Sequence, residues 1–298
     1  MRSLVVGLAS LTFLLLSRPC FSASEPASRS NERVQWNPEW KKVTPAEYAL
    51  TLTLGLGCAG LVLFVDQRST GAREGVLYDA AVRSLLRSGT RSGRDRARFI
   101  GDIGYRSLLA FPFLDAAVSA WAVHGNGEVA WQMVAMDAEV MAVAGFIGIL
   151  TDHAIGRARP SDAECKTNPD YEAFCGEPDA YGSFISGHTA IAAAGAGLTC
   201  AHHLNLPLYG GGAGDIAACA ATSAAAVTTG VARLVNDRHW ATDVTVGLVV
   251  GAASGFGIPS LFHYRRRPAA TLEPTQLRLR LIPALGAGQF GGQLLGIF

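Results

Sequence analysis

Residues 129–160 read VAWQMVAMDAEVMAVAGFIGILTDHAIGRARP. From Val129 to Leu150 the run is mostly apolar, rich in Ala and Gly, without period-two alternation. It is too long for a strand and about one bilayer core in length, so it reads as a helix. The character then changes within one turn. Asp152, His153, Arg157 and Arg159 follow, and Pro160 halts any helix. Five more apolar runs lie either side: Tyr48–Val65, Ser107–Val123, Thr189–Ala201, Ile216–Val231 and Val244–Phe262. The expected fold class is therefore all-α, a helical bundle of about six apolar helices.

Local signals support these helices. Thr44 caps the first, Pro45 suits its first turn, and Glu47 can bond back to the cap. Gly195, Gly197, Gly247 and Gly251 permit close helix approach, the last two at GxxxG spacing. Asp115, Asp137 and Glu139 interrupt the runs and are expected to face the bundle and pair. A soluble, Ala-rich core would accommodate them as well as a membrane bundle. Composition leans towards the membrane: 49% of the 298 residues are hydrophobic and 16% charged, against roughly 25% charged in soluble chains. A net charge of +1 gives no electrostatic case for a nucleic-acid partner.

Residues 1–23 read as a signal peptide or anchor: Arg2, the apolar run Leu4–Leu16, then small Cys20 and Ser22 as a cleavage pair. Residues 24–43 read as a polar linker, 44–267 as the helical domain and 268–298 as a tail. In the tail, Leu277 to Leu281 alternate with Arg278 and Arg280, which predicts a strand or short hairpin. The Arg-rich segment 66–105 reads either as an amphipathic helix on a bilayer surface or as a solvated helix docked on the domain. Cys165 and Cys175, ten apart in a polar loop, suit a disulfide in an exported chain. Cys58, Cys200 and Cys219 read as buried thiols. No spacing suggests zinc.

Three polar clusters lie at helix ends: Asp152 to Pro160, Ser183 to Thr189, and Arg233 to Asp243. Neighbouring helices would gather them at one end of the bundle. Arg159 and Arg233 offer planar forks for phosphate oxygens. Ser186, Gly187 and His188 open a helix whose first N–H groups cradle an anion. His239 and Asp243 are four apart, so Asp243 is expected to hold one imidazole nitrogen and leave the other to attack phosphorus. His188 can protonate the leaving oxygen. Singly, each has an ordinary structural explanation, as a solvated charge or a structural hydrogen bond. Their joint order carries the reading.

These clusters resemble the tripartite signature of the type 2 phosphatidic acid phosphatase and vanadium haloperoxidase superfamily. Arg159-Pro160 matches the end of its first motif, Ser186-Gly187-His188 three of four positions of its second, and Arg233, His239 and Asp243 its third at full spacing. The resemblance covers roughly Thr44 to Tyr264. It implies His239 as nucleophile, Asp243 as its orienter, His188 as general acid, and Arg159, Arg233, Ser186 and Gly187 as phosphate ligands, with no metal and no other cofactor. Three positions depart from the pattern. Ile185 replaces Pro, Ala232 replaces Ser, and Asp152 stands where the family has Lys. Arg157 and Arg238 are auxiliary candidates to restore the lost charge, and Asp152 is expected to pair with Arg157 or another arginine at the rim.

The expected activity is hydrolysis of lipid phosphates such as phosphatidate, phosphatidylglycerol phosphate or polyprenyl diphosphate. A soluble exported acid phosphatase and a non-catalytic membrane protein of the same fold are the alternatives; apolar helices argue against a haloperoxidase. The expected location is a bacterial inner membrane with the site facing the periplasm, or else the soluble periplasm. A cleaved signal, six spans and an external site are mutually incompatible, so one apolar segment is expected not to span.

Overall fold

The computed structural model describes residues 34–176, 178–265, 278–286 and 289–297. The expected signal or anchor, 1–23, lies outside them. The elements are α1 (Pro45–Phe64), α2 (Asp79–Leu86), α3 (Arg91–Asp115), α4 (Gly127–Ile155), α5 (Asp162–Thr167), α6 (Gly187–Asn205), α7 (Ala213–Val235) and α8 (Ala241–Ala252). α3 runs on as π-helix through Val123, and α8 runs on to His263. An antiparallel hairpin follows, β1 (Arg278–Gly286) and β2 (Gln289–Ile297), with Arg278 opposite Ile297. The fold is the expected helical bundle with a β tail.

α6 is the hub. It packs on α3, α4, α7 and α8, and nearly all its side chains are buried. Its Ala and Gly content lets backbones touch. A Cβ at Gly195 would lie 2.0 Å from the carbonyl oxygen of Leu108 on α3. Cβ atoms at Gly251 and Gly255 would lie 2.1 and 2.2 Å from the carbonyls of Ala190 and Ala194. The small-residue spacing on α8 is thus a backbone-to-backbone seam. Outside, Leu52, Leu56, Phe64, Trp121, Val249 and Phe262 are exposed. Five helical stretches are long and apolar enough to cross a membrane: Pro45–Phe64, Arg91–Val123, Gly127–Ile155, Ala213–Val235 and Ala241–His263. Such an exterior suits lipid better than water.

The carboxylates inside the bundle are paired. Asp137 lies 2.9 Å from His202, and Asp115 lies 2.9 Å from His203, whose other nitrogen meets Asp215 at 2.6 Å. At α1 the expected capping box is present: Thr44 N donates to Glu47 at 2.6 Å and Glu47 N to Thr44 Oγ1.

Three expectations are corrected. Residues 66–105 are not one surface segment: α3 begins at Arg91, capped by Thr90, and only α2 is a short separate helix. α2 is docked through its charges, with Arg83 forking onto Asp237 at 2.7 Å twice, while Leu85 points outward. Residues 34–43 are not a linker, because Val34, Trp36 and Val43 are buried in a core with Met133, Met136 and Leu206. Cys200 and Cys219 form a disulfide rather than free thiols, since each lies a similar distance from the turn joining antiparallel α6 and α7. Of the six expected apolar segments, that of α6 is not among the five stretches long and apolar enough to cross a membrane. Lys41 N bonds to the carbonyl of His263 at 3.2 Å, so residues 34–44 lie with the end of the α8 stretch, opposite the α6 N-terminus.

Candidate active site

The three clusters meet at one end of the bundle, at the C-terminus of α4, the N-terminus of α6 and the α7–α8 connection. α4 ends where Gly156 turns left-handed (φ 60°); any Cβ there would lie 1.9 Å from the carbonyl oxygen of Arg68. This turn sends Arg157 inward to the bundle and Arg159 to a cavity of about 510 Å³. Arg159, Gly187, His188, Arg233, Arg238 and His239 all line it.

His239 is buried, in the loop before α8. Its Nδ1 lies 2.7 Å from the carbonyl oxygen of Ser183. A carbonyl only accepts, so the proton is assigned to Nδ1 and the lone pair to Nε2. Nε2 lies 3.3 Å from Nη1 of Arg159. Burial, and then the guanidinium groups of Arg159 and Arg233, hold the imidazole well below its usual range. It is therefore neutral and nucleophilic at neutral pH.

Asp243 does not touch that ring. The i, i+4 argument fails because α8 starts only at Ala241, after His239. Asp243 instead occupies the third position of the helix and folds back on its start. It accepts from Trp240 N at 2.9 Å, Ser183 Oγ at 2.6 Å and Arg157 Nη1 at 2.5 Å. It thus fixes Ser183, whose carbonyl fixes His239. Arg157 is spent on this frame: it also donates to Asp79 at 2.7 Å and Thr242 at 2.8 Å. It does not line the cavity, which corrects both its auxiliary role and its expected pairing with Asp152. Asp152 does line the cavity and accepts from Gln67 at 3.1 Å.

The α6 N-terminus is open. A Cβ at Gly187 would meet nothing within 4 Å, so an anion can approach the first backbone N–H groups of the helix. Ser186 is turned the other way, 2.8 Å from Thr189 Oγ1, and is absent from the cavity lining; its expected side-chain role in phosphate binding is corrected. Arg233 Nε is buried with no hydrogen-bond partner among the described residues, as expected of a donor reserved for a ligand. Arg238 lines the cavity and donates to Glu172 at 3.1 Å.

α3 supplies what the motifs omit. Arg98, Asp102, Tyr105 and Arg106 form one stripe facing the cavity. Their spacing of four, three and one is a helical face, a signal visible in the sequence once the helix is started at Arg91. The apolar part of the lining includes Ala144, Gly145, Ile149 and Ile191. No cluster of His, Cys, Asp and Glu suited to a metal occurs among the described residues.

Residues 138–267, which include all three clusters, match the PAP2 superfamily. That stretch, a little under half of the chain, is similar to the superfamily. A lipid A 1-phosphatase from Porphyromonas gingivalis is 31% identical over 290 residues, covering 93% of this chain and 56% of the relative. The chain thus spans little more than half the length of that curated relative. No solved structure matches it. The PAP2 match begins within α4, so α1 to α3, and with them the α3 stripe at the site, lie outside the matched residues.

Proposed function

We propose that the chain is a lipid phosphate phosphohydrolase working through a phosphohistidine at His239, without a metal. The observation that carries this reading is the placing of His239, its Nδ1 on the Ser183 carbonyl and its Nε2 beside Arg159 in an arginine-lined cavity. Nε2 attacks phosphorus as the bond to the leaving oxygen breaks, and His188 gives that oxygen a proton. Water then attacks the phosphohistidine, gives a proton back to His188, and releases phosphate and free His239. Arg159, Arg233 and the N–H groups of Gly187 and His188 hold the three equatorial oxygens as charge builds.

A lipid substrate is supported by the apolar part of the cavity lining and the lipid-suited exterior, and by the name of the P. gingivalis relative. Phosphatidate, phosphatidylglycerol phosphate, polyprenyl diphosphate and phosphorylated lipid A are the substrates to compare. The site is placed on the periplasmic face of an inner membrane. Support comes from the Cys165–Cys175 disulfide, which lies in the loop between α4 and α6 on the site side. Residues 34–44 would then lie on the cytoplasmic face.

Protein purified in detergent is assayed for phosphate release from each lipid and from small phosphate esters, with and without EDTA. Release from a lipid that survives EDTA, and is lost in His239→Ala by a factor of roughly 10⁴ or more, is the expected result. A requirement for divalent metal, or full activity in His239→Ala, would overturn the mechanism. Preference for small esters over every lipid would overturn the substrate class.

A further inference from the structure

We infer that Asp102, on α3 and outside all three motif clusters, is a positioning residue that holds His188 in its proton-donating form. The inference rests on the phosphatase reading above. Asp102 Oδ1 lies 3.2 Å from Nε2 of His188 and accepts from Nη1 of Arg233 at 3.3 Å. Its other oxygen lies 3.6 Å from Arg98. One carboxylate thus joins the proposed acid to a phosphate ligand.

The electrostatics of the cavity give this contact its purpose. A general acid must carry its proton until the leaving oxygen needs it. His188 stands among cations: Arg159 and Arg238 from the loops, Arg233 from α7, and Arg98 and Arg106 from α3. Burial, and then Arg233, Arg159, Arg238 and Arg106, push the imidazole down to about 3, so the proton-donating form needs negative charge beside it. The remaining titratable groups around the cavity are His239, Tyr105, whose ring centroid lies 4.6 Å from that of His188, and Asp152 on α4. Among the described residues, Asp102 is the carboxylate in ion-pair contact with the His188 ring. An opposite charge within about 4–6 Å favours the charged imidazole, and a phosphate dianion bound between the arginines adds its charge to that of Asp102, so that carboxylate and substrate together hold the proton on His188. The proton passes from the imidazolium to the leaving oxygen as the P–O bond breaks, and returns from water during dephosphorylation.

The test is Asp102→Asn, which keeps shape and removes charge, assayed on two classes of substrate. An alkyl phosphate, such as a lipid phosphomonoester, has a poor leaving group and needs the proton; p-nitrophenyl phosphate has a good one and does not. The expected result is a fall in kcat of about 10²-fold or more on the alkyl phosphate, a much smaller fall on the aryl phosphate, and a basic limb of the pH profile moved to lower pH. Equal falls on both substrates with a raised KM would mean that Asp102 only places Arg233, and would overturn the inference. A double-mutant cycle provides a second reading should Asp102→Asn alone fold poorly. If Asp102 acts through His188, adding Asp102→Asn to His188→Ala should lower kcat on the alkyl phosphate no further; a full additional loss would overturn it. Wild-type protein inactive on both substrates would instead count against the phosphatase reading itself.

Discussion

Asp243→Asn distinguishes a carboxylate that bonds the nucleophile from one that builds the frame around it. In this structure Asp243 accepts three hydrogen bonds, from Arg157, Ser183 and Trp240, and none from His239. Asparagine has one acceptor and one donor end. With its oxygen towards Ser183 and Trp240, its NH₂ group faces the Arg157 guanidinium; reversed, it faces the Trp240 N–H. Either way a buried donor meets a donor, and Arg157 keeps Asp79 as its carboxylate partner. Breaking one side of a buried ion pair destabilises by roughly 3–5 kcal/mol, and about 2–4 °C per kcal/mol is typical of large domains. The midpoint of thermal inactivation in detergent should therefore fall by on the order of 10 °C. Turnover measured well below that midpoint should fall by no more than about tenfold, because the Ser183 carbonyl still fixes the imidazole tautomer. In a direct Asp–His pair, losing the carboxylate leaves the wrong tautomer and lowers kcat by about 10⁴. A loss of that size with an unchanged midpoint would refute the frame and restore the direct pair.

Three further outcomes follow from the same geometry. Because His239 is held well below its usual range by burial and then by Arg159 and Arg233, the unfolded chain takes up a proton near pH 6.5 that the folded chain refuses. Its contribution is therefore present above pH 6.5 and lost below it, by up to about 1.4 kcal/mol per pH unit; thermal inactivation scanned from pH 8 to 5 should show this slope, and His239→Gln should reduce it, leaving the part that His188, also held low by burial and the arginines, contributes. Asp152→Lys places an ammonium on the cavity wall and should lower KM for a phosphate monoester, whereas unchanged kinetics would show residue 152 to be remote from the bound phosphate. Mass spectrometry of unreduced peptides should show both Cys165–Cys175 and Cys200–Cys219, and free thiols at 165 and 175 in protein from its native compartment would contradict a periplasmic site.

What could be read from the sequence follows from what is local. The motif clusters are short, and each is placed by a helix end that its own residues encode, so Arg159, Gly187, His188, Arg233 and His239 were all legible. The glycine seam was legible for the same reason, since GxxxG on α8 needs only one helix to be seen. The partner of Asp243 is not legible, because it depends on where α8 begins, and a start at Ala241 leaves His239 off the helix. The direction of the Ser186 hydroxyl is not legible, because an N-cap hydroxyl can turn inward as readily as outward. Asp102 and its stripe depend on the register of α3 against α6, a long-range fact, and starting α3 at Ser107 hid the stripe among surface arginines. The Cys200–Cys219 bridge likewise needed the pairing of α6 with α7.

The central claim is that phosphate passes through His239. Wild-type protein mixed with a ³²P-labelled lipid phosphate, quenched in alkali within a single turnover and digested, provides the direct measurement, because phosphohistidine survives alkali. The account predicts a labelled peptide containing His239, formed and lost at rates that match turnover and absent from His239→Ala. Label on His188, or single-turnover phosphate release with no labelled peptide at any time, would contradict it.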